Sequence, residues 1–213
     1  MKTKSISPAV IKRLPRYYRY LGDLIKKNTE RISSKELSTL MSVTASQIRQ
    51  DLNCFGGFGQ QGYGYDVKTL HGEIGLILGL EKGYTSIIVG AGHIGHAIAN
   101  HSTFKTRGFN LCGIFDIDPD AIGTEINGLT VKSMDEIDSF IKENKPDIAV
   151  LALPKNAAMG VADRLVALGI RGFWNFSACE LCLPEGVAVE NVHLSDSIMT
   201  LSYRIKETES KGV

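Results

Sequence analysis

The rhythm of hydrophobic positions changes partway along the chain. Over residues 8–28, Val10, Ile11, Leu14, Tyr17, Tyr18, Leu21, Leu24 and Ile25 recur at three- and four-residue steps, the period of an amphipathic helix. Pro8 stands near its start, and Pro15 inside the pattern predicts a kink or a delayed start. In "RISSKELSTLM", Ser34 is expected to cap a short helix with Leu37, Leu40 and Met41 on one face. "SVT" makes a turn. Thr44 then caps a third helix, "TASQIRQDLNCFG", with Ile48 and Leu52 inward and Gly56 at its end. Glycines and aromatics crowd the following segment, "CFGGFGQQGYGYDV", which predicts two short strands around a tip at Gln60 and Gln61. Residues 67–83 read as an apolar helix.

Beyond residue 83 strands alternate with helices. "YTSIIV" is a buried strand, and Gly90-Ala91-Gly92-His93-Ile94-Gly95 opens a helix that continues through Ala99. "NLCGIF" is a second strand, with Asp116 at its end, and "GLTVKS" is a short extended piece. Residues 133–136 form a capping box that opens a helix to about 145. "DIAVLALP" is a strand ending at Pro154, 156–168 a helix, "IRGFWNF" a strand and "VAVENVHL" extended. A last helix over 195–206 carries Ile198, Leu201 and Ile205 on one face, and "KETESKGV" is expected to fray. This order predicts an α/β fold: an N-terminal helical module and a doubly wound parallel sheet of Rossmann type. The expected boundaries are 1–82, 83–192 and 193–213.

Charge divides at the same place. Residues 1–82 hold 13 Lys+Arg against 7 Asp+Glu, and residues 83–213 hold 11 against 16, giving +6 and −5. A basic front module fits a polyanionic partner. Three helices, the last two joined by a tight turn and followed by a hairpin, outline a winged helix-turn-helix. Ser46, Gln47, Arg49, Gln50 and Asn53 face outward on the third helix, with side chains that hydrogen-bond base edges in the major groove. Gln60 and Gln61 at the wing tip suit the minor groove or phosphates. Arg13, Arg16, Arg19, Lys26, Lys27 and Lys35 are available for phosphates.

The glycines of 90–95 have separate tasks: a tight turn, close approach of a pyrophosphate, and packing of helix on strand. The phosphates then meet N–H groups at the helix N-terminus. Asp116, 21 residues after Gly95, is placed to accept from adenosine ribose hydroxyls. "DIDPDAIG" holds no Lys or Arg for a 2′-phosphate, which favours NADH and NAD+ over the phosphorylated dinucleotides. No catalytic constellation accompanies the loop. His71, His93, His96, His101 and His193 are scattered, and no substrate domain is expected beside the nucleotide fold. The alternative, a small NAD-dependent oxidoreductase with a fused helical oligomerisation segment, would need one. Cys54 and Cys112 read as buried free thiols, and Cys179 with Cys182 as reduced thiols rather than a metal site. No apolar run approaches a membrane span and the N-terminus lacks an apolar signal region, so a cytoplasmic place away from membranes is expected.

At this point the chain resembles the Rex family of bacterial redox-sensing transcriptional repressors. The resemblance rests on "RLPRYYRYL", "RISSKELS", "TASQIRQDLNCFGGFGQQGYGY", "VGAGHIG", "FDIDPDAIGTEINGL", "VLALP", "DRLVALGIRGFWNF" and "VENVHLSDSIMTL", in that order over nearly the full chain. It implies a homodimer whose last helix is exchanged with the partner. It also implies a palindromic, AT-rich double-stranded operator held by the free or NAD+-bound form and released by NADH. Gly90, Ala91, Gly92, His93, Ile94 and Gly95 would hold the pyrophosphate, and Asp116 and Ile117 the adenosine ribose. Leu153, Pro154, Asn175 and Phe176 would border the nicotinamide. Gln50, Gln60 and Gln61 are neutral where the family is commonly basic, which should flatten the salt dependence of DNA binding. The switch and dimer positions fall on Arg13, His101, His193, Asp196 and Tyr203. His101 stands where the family often has Tyr, and His193 where it often has an Asp that pairs, in one state of the switch, with the arginine here numbered 13. Asp196, one turn on, is the candidate substitute.

Overall fold

The computed structural model describes residues 6–56, 58–60, 63–101 and 103–210, the side chains of residues 59, 60 and 103 excepted. The chain divides into two compact units, Met1–Lys82 and Gly83–Val213.

In the first unit, α1 (Pro8–Lys26) buries Val10, Leu14, Tyr17 and Leu21. Its start is not delayed: the helix runs through Pro15, which lies on the exposed side, where the carbonyl it leaves unbonded meets water. A short strand, β1 (Arg31–Ile32), precedes α2 (Ser34–Met41). The cap of α2 is Ser33, not Ser34. Ser33 Oγ accepts from the Glu36 N–H at 3.1 Å, and Glu36 Oε2 accepts from the Ser33 N–H at 2.8 Å, a reciprocal capping box. Ser42, at φ 52°, closes the turn into α3 (Ala45–Asn53), which Thr44 caps as expected. The wing is a hairpin of β2 (Gly59–Gln60) and β3 (Gly64–Asp66). β1 joins β3 antiparallel through Ile32 and Tyr65, making a three-stranded sheet. Asp66 caps α4 (Val67–Ile77), whose Leu70 and Ile74 join Leu14, Tyr17, Leu37 and Ile48 in one core.

The second unit opens with β4 (Tyr84–Val89), α5 (His93–Ala99), α6 (Thr103–Thr106) and β5 (Phe109–Asp116). Next come β6 (Glu125–Ile126), β7 (Leu129–Ser133), α7 (Ile137–Asn144), β8 (Ile148–Leu151) and α8 (Lys155–Ala167). β9 (Gly172–Asn175), β10 (Ala188–Asn191) and α9 (Leu194–Ser210) complete it. The sheet order is β10-β9-β8-β4-β5-β7-β6, parallel except for β6 at the edge. Side chains alternate across it, as the strand period requires. Ile87, Val89, Phe115 and Leu151 face α7 and α8, while Ile88, Ile114 and Val150 face the side of α5.

The strand order reverses between β4 and β8, so the loops that follow Val89 and Leu151 flank the crevice where such sheets bind ligands. α9 is different in kind. It has no buried residue, and Leu194, Ile198, Met199, Leu201, Tyr203 and Ile205 are all exposed. It also continues through the charged segment expected to fray, as far as Ser210. Among the described residues no helix is long and apolar enough to cross a membrane.

Candidate functional site

Two sets of residues stand out, one in each unit. On α3 the helical period leaves Ser46, Arg49, Gln50 and Asn53 exposed. Arg49 Nη1 donates to Ser34 Oγ at 2.9 Å, which draws its guanidinium toward the start of α2. Lys35, next to Ser34, is exposed. In the wing, Arg31 Nη1 donates to the Tyr63 carbonyl at 3.3 Å and its guanidinium stands 5.9 Å from the centre of the Tyr63 ring. Gln61 and the side chain of Gln60 lie outside the described residues.

Two expectations about polar side chains fail here, for one reason. Gln47 was expected to face outward, and Arg13 to be available to phosphate. Both instead converge on Asp51, which is fully buried. Arg13 donates from Nε to Oδ2 at 2.6 Å and from Nη2 to Oδ1 at 2.7 Å. The Tyr17 hydroxyl donates to Oδ2 and Gln47 Nε2 to Oδ1, each at 2.8 Å. Burial opposes ionisation of Asp51, but the bonds from Arg13, Gln47 and Tyr17 outweigh it and hold the carboxyl below its ordinary range. Asp51 was missed by the sequence reading. The signal was present: position 51 shares the inward face with Ile48 and Leu52, and an acid on a core face needs a partner. Arg16 is likewise engaged, donating to the Met41 carbonyl at 2.5 Å, and Arg19 lies 5.6 Å from the Tyr20 ring.

In the second unit the glycine-rich loop leaves β4 and turns into α5. The Gly90 N–H donates to the Phe115 carbonyl at 2.8 Å, and the Ala91 N–H donates to Asp116 Oδ2 at 2.5 Å. Asp116 Oδ1 takes the N–H groups of Ile117 at 2.7 Å and Asp118 at 2.9 Å. Asp116 thus holds the loop as well as ending β5. The three glycines differ. Gly90 has φ 102°, and a Cβ there would overlap the Ala152 carbonyl of the neighbouring strand end. A Cβ on Gly95 would overlap the Gly90 carbonyl. At Gly92 a Cβ would meet no protein atom within 4 Å, so internal packing gives no reason for a glycine. That surface, beside the first N–H groups of α5, fits the close approach of a phosphate. His93, Ile94 and Ile117 are exposed around it.

Leu153 is half-buried and Pro154 exposed at the end of β8, and Phe176 is half-buried after β9. Phe176 meets the ring of Trp174 edge-on at 4.7 Å, and Trp174 meets Phe104 at 5.3 Å. Asn175, at the end of β9, uses its amide within the protein. Its Nδ2 donates to the Cys179 carbonyl at 2.7 Å and to Asn191 Oδ1 at 2.8 Å. Its Oδ1 accepts from the N–H and hydroxyl of Ser177, so the buried amide is saturated within the protein. His101 is exposed and stacks on Phe104 at 4.6 Å. His193 is half-buried, and its carbonyl accepts from the N–H of Asp196, an exposed residue in the first turn of α9. Tyr203 is exposed on α9. The thiols are all free. Cys54 is exposed at the end of α3 rather than buried, and Cys112 is half-buried, with burial raising its pKa. Among the described residues no His, Cys, Asp and Glu cluster could hold a metal.

A winged helix-turn-helix joined to a Rossmann sheet defines a class of nucleotide-linked DNA-binding regulators. Residues 5–53 match the family described as "Putative DNA-binding protein N-terminus", and residues 81–179 match the "CoA binding domain" family. A redox-sensing transcriptional repressor Rex of Thermoanaerobacter pseudethanolicus is 56% identical over 208 residues, covering 98% of this chain and 92% of its own. One from Clostridioides difficile is 56% identical over 204 residues, covering 96% and 97%. A solved structure of RSP with β-NAD+ and operator DNA has a TM-score of 0.89 at 55% identity, covering 97% of this chain and 95% of that one. Another, of RSP with β-NADH, has a TM-score of 0.90 at 51% identity, covering 98% of each. The chain belongs to the Rex family of redox-sensing transcriptional repressors.

Proposed function

We propose that this protein is a cytoplasmic repressor that reads the NADH/NAD+ ratio, holding a palindromic AT-rich operator when free or NAD+-bound and leaving it when NADH binds. The observation that carries the reading is the pairing of relatives: similar folds at 51–55% identity hold NADH in one case and NAD+ with operator DNA in another. Arg49, Gln50, Ser46 and Asn53 would read the major groove, with Lys35 on phosphate and the wing in the minor groove. Gly92 and the start of α5 would seat the pyrophosphate, Asp116 the adenosine ribose, and Leu153, Pro154 and Phe176 the nicotinamide border. The dinucleotide acts as an effector: NADH must bind the DNA-incompetent form more tightly than it binds the DNA-competent form, or it shifts nothing.

The reading includes a homodimer. α9 exposes six large apolar residues and buries none, and covering them is worth about 25 cal/mol for each Å² of apolar surface. A second copy of the chain is the partner the palindrome requires. The test is operator binding across a series of NADH/NAD+ ratios. Release is expected to follow NADH, and equal release by both nucleotides would remove the redox-sensing reading.

A further inference from the structure

Asp51 is the one buried charged side chain among the described residues, and nothing in the functional reading uses it. It sits where an acid is least welcome. The interior opposes its charge, and so does the dipole of α3, whose last turn contains it. Four hydrogen bonds offset that cost. Two come from Arg13 at 2.6 and 2.7 Å and one from Tyr17 at 2.8 Å, both on α1, and one from Gln47 at 2.8 Å, one turn earlier on α3.

The arrangement is directional. Apolar contacts such as Ile48 and Leu52 press α3 against the core but tolerate small rotations of the helix. A carboxylate gripped at both oxygens by a planar guanidinium fixes angle as well as distance. Asp51 follows Arg49 by two residues and Gln50 by one, so any rotation of α3 that moved Asp51 would swing both through the same angle. The outer face is tied too, by Arg49 to Ser34 at 2.9 Å.

We propose that Asp51 is a positioning residue for DNA recognition, setting the rotation of α3 against α1 and so the direction in which Arg49 and Gln50 leave the helix. The role rests on reading α3 as the recognition helix. Arg13 then stays paired with Asp51 in both nucleotide states, since removing it would leave a buried carboxylate uncompensated.

The test uses the full chain. Asp51→Asn and Tyr17→Phe are compared with wild type for binding to an operator duplex and to a scrambled duplex of equal length at one salt concentration. Asp51→Asn is expected to lose about tenfold or more on the operator, the factor carried by one hydrogen bond to a charged group. Its binding to the scrambled duplex, set by phosphates, is expected to change much less. Tyr17→Phe keeps the ring in the core and removes a single bond, so it should lose less in the same direction. It also decides the matter if Asp51→Asn does not fold. Equal losses on both duplexes would mean a lower folded fraction alone and would overturn the proposal. Hydrogen exchange without DNA is the second arm: α3 amides should exchange faster in either folded variant. Wild-type protection of α3 overturns the anchor, whereas wild-type protein that prefers no palindrome would sink the DNA reading instead.

Discussion

Replacing Gly92 by alanine separates two reasons for which a chain keeps a glycine. Gly92 has φ −69° and ψ −169°, backbone open to any L-residue. A Cβ there meets no protein atom within 4 Å. Alanine in a compatible conformation stabilises by about 0.4–1 kcal/mol through the unfolded chain. At a helix N-cap, alanine is worse than glycine by roughly as much. The two nearly cancel, so the melting temperature should move by less than about 3 °C. Nucleotide binding should behave differently. The new methyl would stand on the surface proposed for the pyrophosphate, and one methyl too many in a packed contact costs about 1–3 kcal/mol. That is about 5- to 150-fold in the Kd for NADH. Gly95→Ala is the contrast: its Cβ would overlap the Gly90 carbonyl and press on Ile88 Cγ2 at 3.3 Å. Here about 1–3 kcal/mol should come out of stability, with a clear fall in melting temperature. Thermal unfolding and calorimetric titration with NADH measure both quantities. Wild-type NADH affinity in Gly92→Ala would refute the pyrophosphate seat. A melting temperature as low as that of Gly95→Ala would refute the packing argument.

If the proposed dimer forms through α9, Ile198→Asp with Leu201→Asp should elute later than wild type on size exclusion, because two apolar side chains would be exchanged for charges; unchanged elution would remove the α9 dimer reading. Arg49→Ala should weaken operator binding by about 1–3 kcal/mol and relax specificity at one base pair in a gel-shift series. The Tyr17 phenol is held above its ordinary range, first by burial and then by its bond to Asp51. Its raised folded value means its contribution is whole below about pH 10 and fades as pH rises toward that value, so Tyr17→Phe should flatten the alkaline limb of the stability curve followed by circular dichroism.

What the sequence determined by itself is local. The helical period of α1, the alternation of strand and helix beyond Gly83, the glycine loop and the acid at Asp116 each depend on residues within a turn or a strand of one another. Their chemistry is therefore visible in a short window. The cap of α2 was also within reach, since Glu36 stands three residues after Ser33 and only two after Ser34, and the reciprocal box needs three. β1 and β6 were not legible, because a two-residue strand has no period and exists only through a partner elsewhere in the chain. The tertiary structure alone decided where polar side chains end. Arg13 and Gln47 were assigned by exposure along a helix, yet both turn inward to Asp51, and Arg13 is 38 positions away from it. Asn175 was placed beside the nicotinamide by resemblance, and the tertiary structure decided that its amide bonds Ser177, Cys179 and Asn191. A buried polar group takes whichever partner the fold brings within reach, and the fold brings those partners together from distant parts of the chain.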